Sequence, residues 1–109
     1  MKSMIESLKN IANENPDGFT VYTTNLKPVK TGWVVAMKET QNCFGDEGLL
    51  KALEVAIKTS QVIGGWKEGK KFYWDAVMVI EDEAEAIHAG RKNEQIAIYN
   101  LEQNKVVYL

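Results

Sequence analysis

The chain has a single cysteine, Cys43, and a single histidine, His88, in 109 residues. One cysteine rules out an intrachain disulfide, and the two residues together leave a Cys/His zinc site short of ligands. No metal or cofactor is expected. Charge of one sign is also lacking: 13 basic against 15 acidic side chains give a net charge of −2, so no overall field draws the chain to a polyphosphate backbone. Nowhere do eighteen apolar residues run together, and the N-terminus carries Glu6 and asparagines where a secretory signal has its apolar block. These absences predict a cytoplasmic protein with no membrane partner. Repeats, linkers and low-complexity segments are missing as well, which predicts one domain over residues 1–109.

What is present is an ordinary globular composition, 45% hydrophobic and 26% charged, sufficient to fold around one core. Its longest strand-like stretch is Phe72 to Ile80, FYWDAVMVI, apolar or aromatic at eight of nine positions. A run of that kind predicts a central strand with helices on at least one side and cover on both faces. Its one charge, Asp75, either points into a cleft or marks a face more open than its neighbours suggest.

Around this strand the remaining elements follow from periodicity and punctuation. Met1 to Asn13 spaces Ile5, Leu8, Ile11 and Ala12 as an amphipathic helix, with Ser3 and Glu6 in the form of a capping box. Asn15-Pro16-Asp17-Gly18 is a turn. Phe19 to Thr24 and Gly32 to Glu39 read as two strands joined in a hairpin by a loop containing Pro28, the second near the middle of the sheet. Asp46 and Glu47 open a helix that runs to Lys58, with Leu49, Leu50, Leu53, Ala56 and Ile57 as its buried stripe. Gly64-Gly65-Trp66 and the Phe72 strand form a second hairpin around Lys67 to Lys70, the glycine pair marking a bulge or a close backbone approach. A helix from Glu81 to Asn93 has acids first and bases last, a small apolar side, and Asn93 where a left-handed cap would fall. Ile96 to Tyr99 and Val106 to Leu109 are short strands. The order strand, helix, strand, strand, helix, strand predicts an α+β fold. It matches a split βαβ sandwich of the ferredoxin-like kind, with a mainly antiparallel sheet, an added N-terminal helix and strand, and an added C-terminal strand.

Two regions carry candidate chemistry. The loop at 39–45 joins a central strand to a helix start, so Glu39, Thr40, Gln41, Asn42 and Cys43 are candidate ligand-binding residues beside N–H groups that favour anions. Within it, Cys43 at a helix N-terminus has the placement of a thiolate nucleophile, although a lone cysteine more often packs as a small hydrophobe. The second region is the hairpin bearing Trp66, Lys67, Lys70, Lys71 and Tyr73, candidates for contact with a partner protein or for base stacking beside lysines. No RNP-like sequence is present, which disfavours nucleic acid. His88 and Glu85, three apart on a helix, form a conceivable acid–base pair but read more simply as a solvated face. The acidic run Glu81 to Glu85 lacks the glycine and alternating oxygens of a calcium loop.

The residues Asn15-Pro16-Asp17-Gly18-Phe19-Thr20-Val21, Gly32-Trp33-Val34-Val35-Ala36, Gly64-Gly65-Trp66 and Gln95-Ile96-Ala97-Ile98-Tyr99-Asn100-Leu101 together resemble a small uncharacterised domain of phage and mobile-element proteins, often part of large polyvalent polypeptides. The resemblance rests on turn and core residues, so it implies a shared fold and assigns no catalytic residue. It implies a bacterial or phage cytoplasmic protein that contacts another macromolecule. With no convincing catalytic constellation, the sequence reads as a non-enzymatic protein-interaction module. A small-molecule-binding domain or minor enzyme using the 39–45 loop is the alternative, and a single-strand nucleic-acid binder the third reading. The strand Val106 to Leu109 offers an edge for a homodimer.

Overall fold

The computed structural model describes residues 2–109, so Met1 of the expected first helix lies outside it. The chain runs α1 (Lys2–Glu14), β1 (Phe19–Tyr22), β2 (Trp33–Ala36), a 3-10 turn (Lys38–Thr40), α2 (Gly45–Lys58), β3 (Val62–Glu68), β4 (Lys71–Ile80), α3 (Glu83–Lys92), β5 (Ala97–Asn100) and β6 (Lys105–Tyr108). All six strands join one sheet in the order β1-β3-β4-β2-β5-β6, and every neighbouring pair is antiparallel. The architecture is α+β, and no helix of the described residues is long and apolar enough to cross a membrane.

β4 is the longest strand and lies inside the sheet, between β3 and β2. Its side chains alternate between two unlike environments. Phe72, Trp74, Ala76 and Met78 pack against Leu8 and Ala12 of α1 and Leu49, Ala52, Leu53 and Ala56 of α2. Met78 and Ile80 continue into a second cluster with Trp33, Val35, Ile98 and Ala86 of α3. All three helices therefore cover the same face. Leu8, Leu49 and Leu53 are completely buried there, each burial contributing on the order of 2 kcal/mol. Salt bridge Lys9–Asp46 (2.8 Å) ties α1 to the start of α2. Gly90 lets α3 lie close to the sheet, since a Cβ there would meet Leu109 at 2.5 Å and Ile98 at 3.0 Å.

The expected hairpin between β1 and β2 does not form. β1 pairs with β3, whereas β2 pairs with β4 and β5, and two strands stand between them. The physical reason lies in the loop. Lys27–Val29 turns back onto the outer edge of β1: Tyr22 N–H donates to the Lys27 carbonyl (3.0 Å), Val29 N–H donates to the Thr20 carbonyl (2.9 Å), and Pro28 bridges Val21. Proline fits this edge because no ladder donor is needed on its outer side. With β1's edge already occupied, β2 is free to take an inner position that pairs it on both sides. The chain reaches that position by crossing the face opposite the helices, where Val29 is buried against Val62 and Val77.

Smaller differences are local. Ser3 lies inside α1 rather than ahead of it. At the end of α3, Asn93 has φ −91°, and the left-handed residue is Glu94 (φ 57°). Asn93 instead joins elements: its side-chain NH2 donates to the Ala89 carbonyl, and its Oδ1 accepts from Lys38 N–H. Lys38 and Glu94 add an ion pair beside it. Pairing of β3 with β4 is continuous from Ile63–Ala76 to Glu68–Lys71, so Gly64-Gly65 makes no bulge. It is a close approach, because a Cβ at Gly65 would stand 2.4 Å from the Phe72 ring and 3.1 Å from the Phe19 ring.

Candidate functional site

Among the described residues every helix lies on one side, and the opposite face of the sheet is covered in part by loops, the crossing segment and Leu101 of the β5–β6 turn. Strand alternation assigns Tyr73, Asp75, Val77 and Val79 of β4 to this face. Register adds Trp66 and Gly64 of β3, Ala36 and Val34 of β2, Tyr99 and Ala97 of β5, and Val106 and Tyr108 of β6. Val29 and Leu101 close one part of it over Val62, Val77 and Val79. The rest is an open basin of about 960 Å³ with Val34, Ala36, Gly64, Asp75 and Val77 in its floor. The turn after α1 (Asn15 to Gly18) and Trp66 stand on one side, and Ile96, Tyr99, Val106 and Tyr108 on the other.

Two features distinguish this face. Phe44, Trp66, Tyr99, Val106 and Tyr108 are all among the exposed large apolar residues, Tyr108 at 79%, while Leu50 is the one such residue on a helix. Exposed apolar side chains gathered on one face mark a contact site more strongly than scattered hydrophobes do. The second feature is Asp75. It pairs across the ladder with Gly64, so no side chain stands opposite the carboxylate, and a Cβ there would crowd the Phe19 carbonyl oxygen at 3.0 Å. Among the described residues no hydrogen bond or salt bridge reaches the Asp75 carboxylate, and its oxygens keep solvent contact. Burial among apolar neighbours pushes its pKa up to about 6.

The hairpin candidates come together in part. Trp66 stacks on Tyr73 (centroids 5.6 Å apart, planes at 27°), and Tyr73 meets Phe44 edge-on at 5.8 Å. Lys71 Nζ stands 4.3 Å above the Phe44 ring, a cation–π contact. Lys67 pairs with Phe72 and so projects from the helix-bearing side, and Lys70 sits in the two-residue turn. The three lysines are thus not aligned along the aromatic row.

The 39–45 loop takes a different place. Where β2 ends, the 3-10 turn brings the chain back against β4: Trp74 N–H donates to the Cys43 carbonyl (2.8 Å), and Phe44 bridges Tyr73. Thr40 is fully buried, its hydroxyl accepting from Ala76 N–H and donating to the Met37 carbonyl, both at 3.2 Å. Glu39, Gln41 and Asn42 are exposed, Cys43 is buried, and none of the five lines the basin. Burial pushes the Cys43 thiol up, with nearby Lys51 opposing and Asp75 reinforcing the shift, which is opposite to the lowering an activated thiolate needs. His88 and Glu85 are both exposed on α3. Thr40→Val keeps the shape but strands the Ala76 N–H, while the Met37 carbonyl keeps its bond from the backbone N–H of residue 40, so it is expected to cost about 1–2 kcal/mol in urea denaturation. An unchanged midpoint would mean these bonds contribute nothing net.

Trp66, one wall of the basin, and Tyr73 beside it stand among the candidates of the sequence, whereas the far wall does not. The signal was present in β5 and β6, where Ala97 and Tyr99 alternate with Ile98 and Asn100, and Val106 and Tyr108 with Val107 and Leu109. Comparisons with protein-family models, with curated proteins and with solved structures find no match.

Proposed function

We propose that this chain is a non-enzymatic interaction module whose helix-free sheet face receives an apolar segment of a partner protein. The observation that carries the reading is the concentration of exposed aromatic and apolar side chains around one basin, on a face that no helix of the described residues covers. The resemblance to the phage and mobile-element domain implies the same class of role. We also read the core as a split βαβ of the ferredoxin-like kind. The inner order β3-β4-β2-β5, with α2 between β2 and β3 and α3 between β4 and β5, supports that reading. In such an arrangement the sheet face opposite the helices is the natural contact surface.

The diverging lysines and the absence of basic residues from the basin weigh against nucleic acid. A small-molecule site is the second reading, in the basin and not at the 39–45 loop, and a basin volume within the usual ligand-pocket range of about 300–1,000 Å³ favours it.

The test is selection of peptides from a random 12-residue display library on the immobilised full chain, followed by titration of the enriched peptides against basin variants. Trp66→Ala and Tyr99→Ala, on opposite walls, are each expected to weaken binding by about tenfold or more, as anchors of a contact surface do. Peptides that bind both variants as tightly as the unaltered chain would remove this face as the contact surface.

A further inference from the structure

The charge distribution of the basin narrows what can occupy it. Its lining contains two carboxylates, Asp75 in the floor and Asp17 on the rim, and among the described residues no lysine, arginine or histidine. Among the described residues the Asp75 carboxylate has no partner; it keeps solvent contact and stands opposite Gly64, which has no side chain. A carboxylate set on an apolar sheet face, between Tyr73 and Val77 along its strand and opposite Gly64, is poorly solvated, so a cation brought to it gains more than at an exposed acid. Trp66, Tyr99 and Tyr108 line the walls with aromatic rings, whose π-electrons favour the same charge. Tyr99 is held in place by its hydroxyl, which donates to Asn104 Oδ1 at 2.7 Å.

We propose that the segment received by this face carries a basic side chain, lysine or arginine, that enters the basin and ion-pairs with Asp75 while its apolar neighbours cover the surrounding wall. This inference rests on the interaction-module reading and specifies the partner's chemistry. An alkyl stem ending in a cation fits both parts of the site: methylenes against the valines and rings, charge against the carboxylate. A phosphate or carboxylate ligand would meet only like charge in the lining. A purely apolar segment would leave Asp75 buried and unpaired on binding, a penalty that a basic group removes.

The peptides selected above test this directly. They are expected to be enriched for one lysine or arginine within an apolar stretch. Replacing that residue by norleucine should weaken binding to the unaltered chain at least tenfold at pH 7.5. The same replacement should have little effect on the Asp75→Asn variant, because the charge has no counterpart there. n-Hexylamine serves as the free-amine probe and should bind far more weakly than the peptide. Enriched peptides that depend on Trp66 and Tyr99 but carry no basic residue, or that bind Asp75→Asn equally well, would overturn the inference and leave the module reading standing. Peptides indifferent to Trp66 and Tyr99 would overturn both. Hexylamine binding as tightly as the peptide would transfer the site to small amines and overturn the peptide assignment.

Discussion

Asp75→Asn is expected to stabilise the folded chain by about 2–3 kcal/mol at pH 7.5 and by almost nothing at pH 3. The folded carboxyl has its pKa pushed up to about 6 from 3.8, so the native state holds this proton more tightly than the unfolded chain does. The sign is opposite to that of a salt-bridged acid. Asp75 costs almost no stability at pH 3, where it is largely protonated in both states. The cost develops as pH rises from about 4 to 6 and stays constant above. Two pKa units correspond to about 3 kcal/mol, reduced somewhat because the oxygens still reach solvent. Asparagine keeps the shape and removes the charge. Urea midpoints of both chains at the two pH values decide the matter, because the other carboxylates titrate alike and cancel in the difference. An equal difference at both would show that Asp75 titrates normally. A stabilising substitution at a buried acid is what a binding residue predicts, since the unpaired charge is retained for contact rather than for folding.

Gly48→Ala should destabilise by about 2 kcal/mol net, although glycine inside a helix is ordinarily worth replacing. Helix propensity favours alanine by about 1 kcal/mol. Against this, the new methyl would stand 2.4 Å from the Cys43 carbonyl carbon, 3.0 Å from its Cα and 3.1 Å from its oxygen. That backbone cannot retreat, because its carbonyl accepts from Trp74 N–H and the next residue bridges Tyr73. Overpacking against a fixed neighbour therefore outweighs propensity, and for a domain of this size Tm should fall by about 10 °C. A rise in Tm would mean that the segment is looser than its hydrogen bonds indicate.

Local order was legible in the residues, and strand neighbours were not. Every helix and strand was expected within a few residues of where it lies, because Leu49, Leu53 and Ala56 repeat at helical spacing and the turn residues at 15–18 and 69–70 punctuate the chain. The pairing of β1 with β2 failed because sequence proximity favours hairpins, while the decisive contacts, Lys27–Val29 on β1 and β4 beside β2, depend on residues far along the chain. Half of the site was visible for the same reason. Trp66 and Tyr73 face each other across one hairpin, a local fact, whereas Tyr99 and Tyr108 join the basin only through β5's pairing with β2. Asp75 announced itself as the one charge in an apolar run, and its environment gave the reason.

The crossing segment has a consequence for the order in which the chain can assemble. β2 ends at Ala36, yet its neighbours are β4, which ends at Ile80, and β5, which begins at Ala97; β1 likewise waits for β3. On a growing chain both early strands stay without sheet partners until the β3–β4 hairpin has been made. That hairpin, closed by a two-residue turn and backed by α2, is the natural template on which they are laid down. β2 must then settle between β4 and a strand still to come. Such long closures slow folding at a given stability. For as long as they last, the apolar strands Phe19–Tyr22 and Trp33–Ala36 are open to other chains, which makes the first third of this protein its vulnerable part during synthesis.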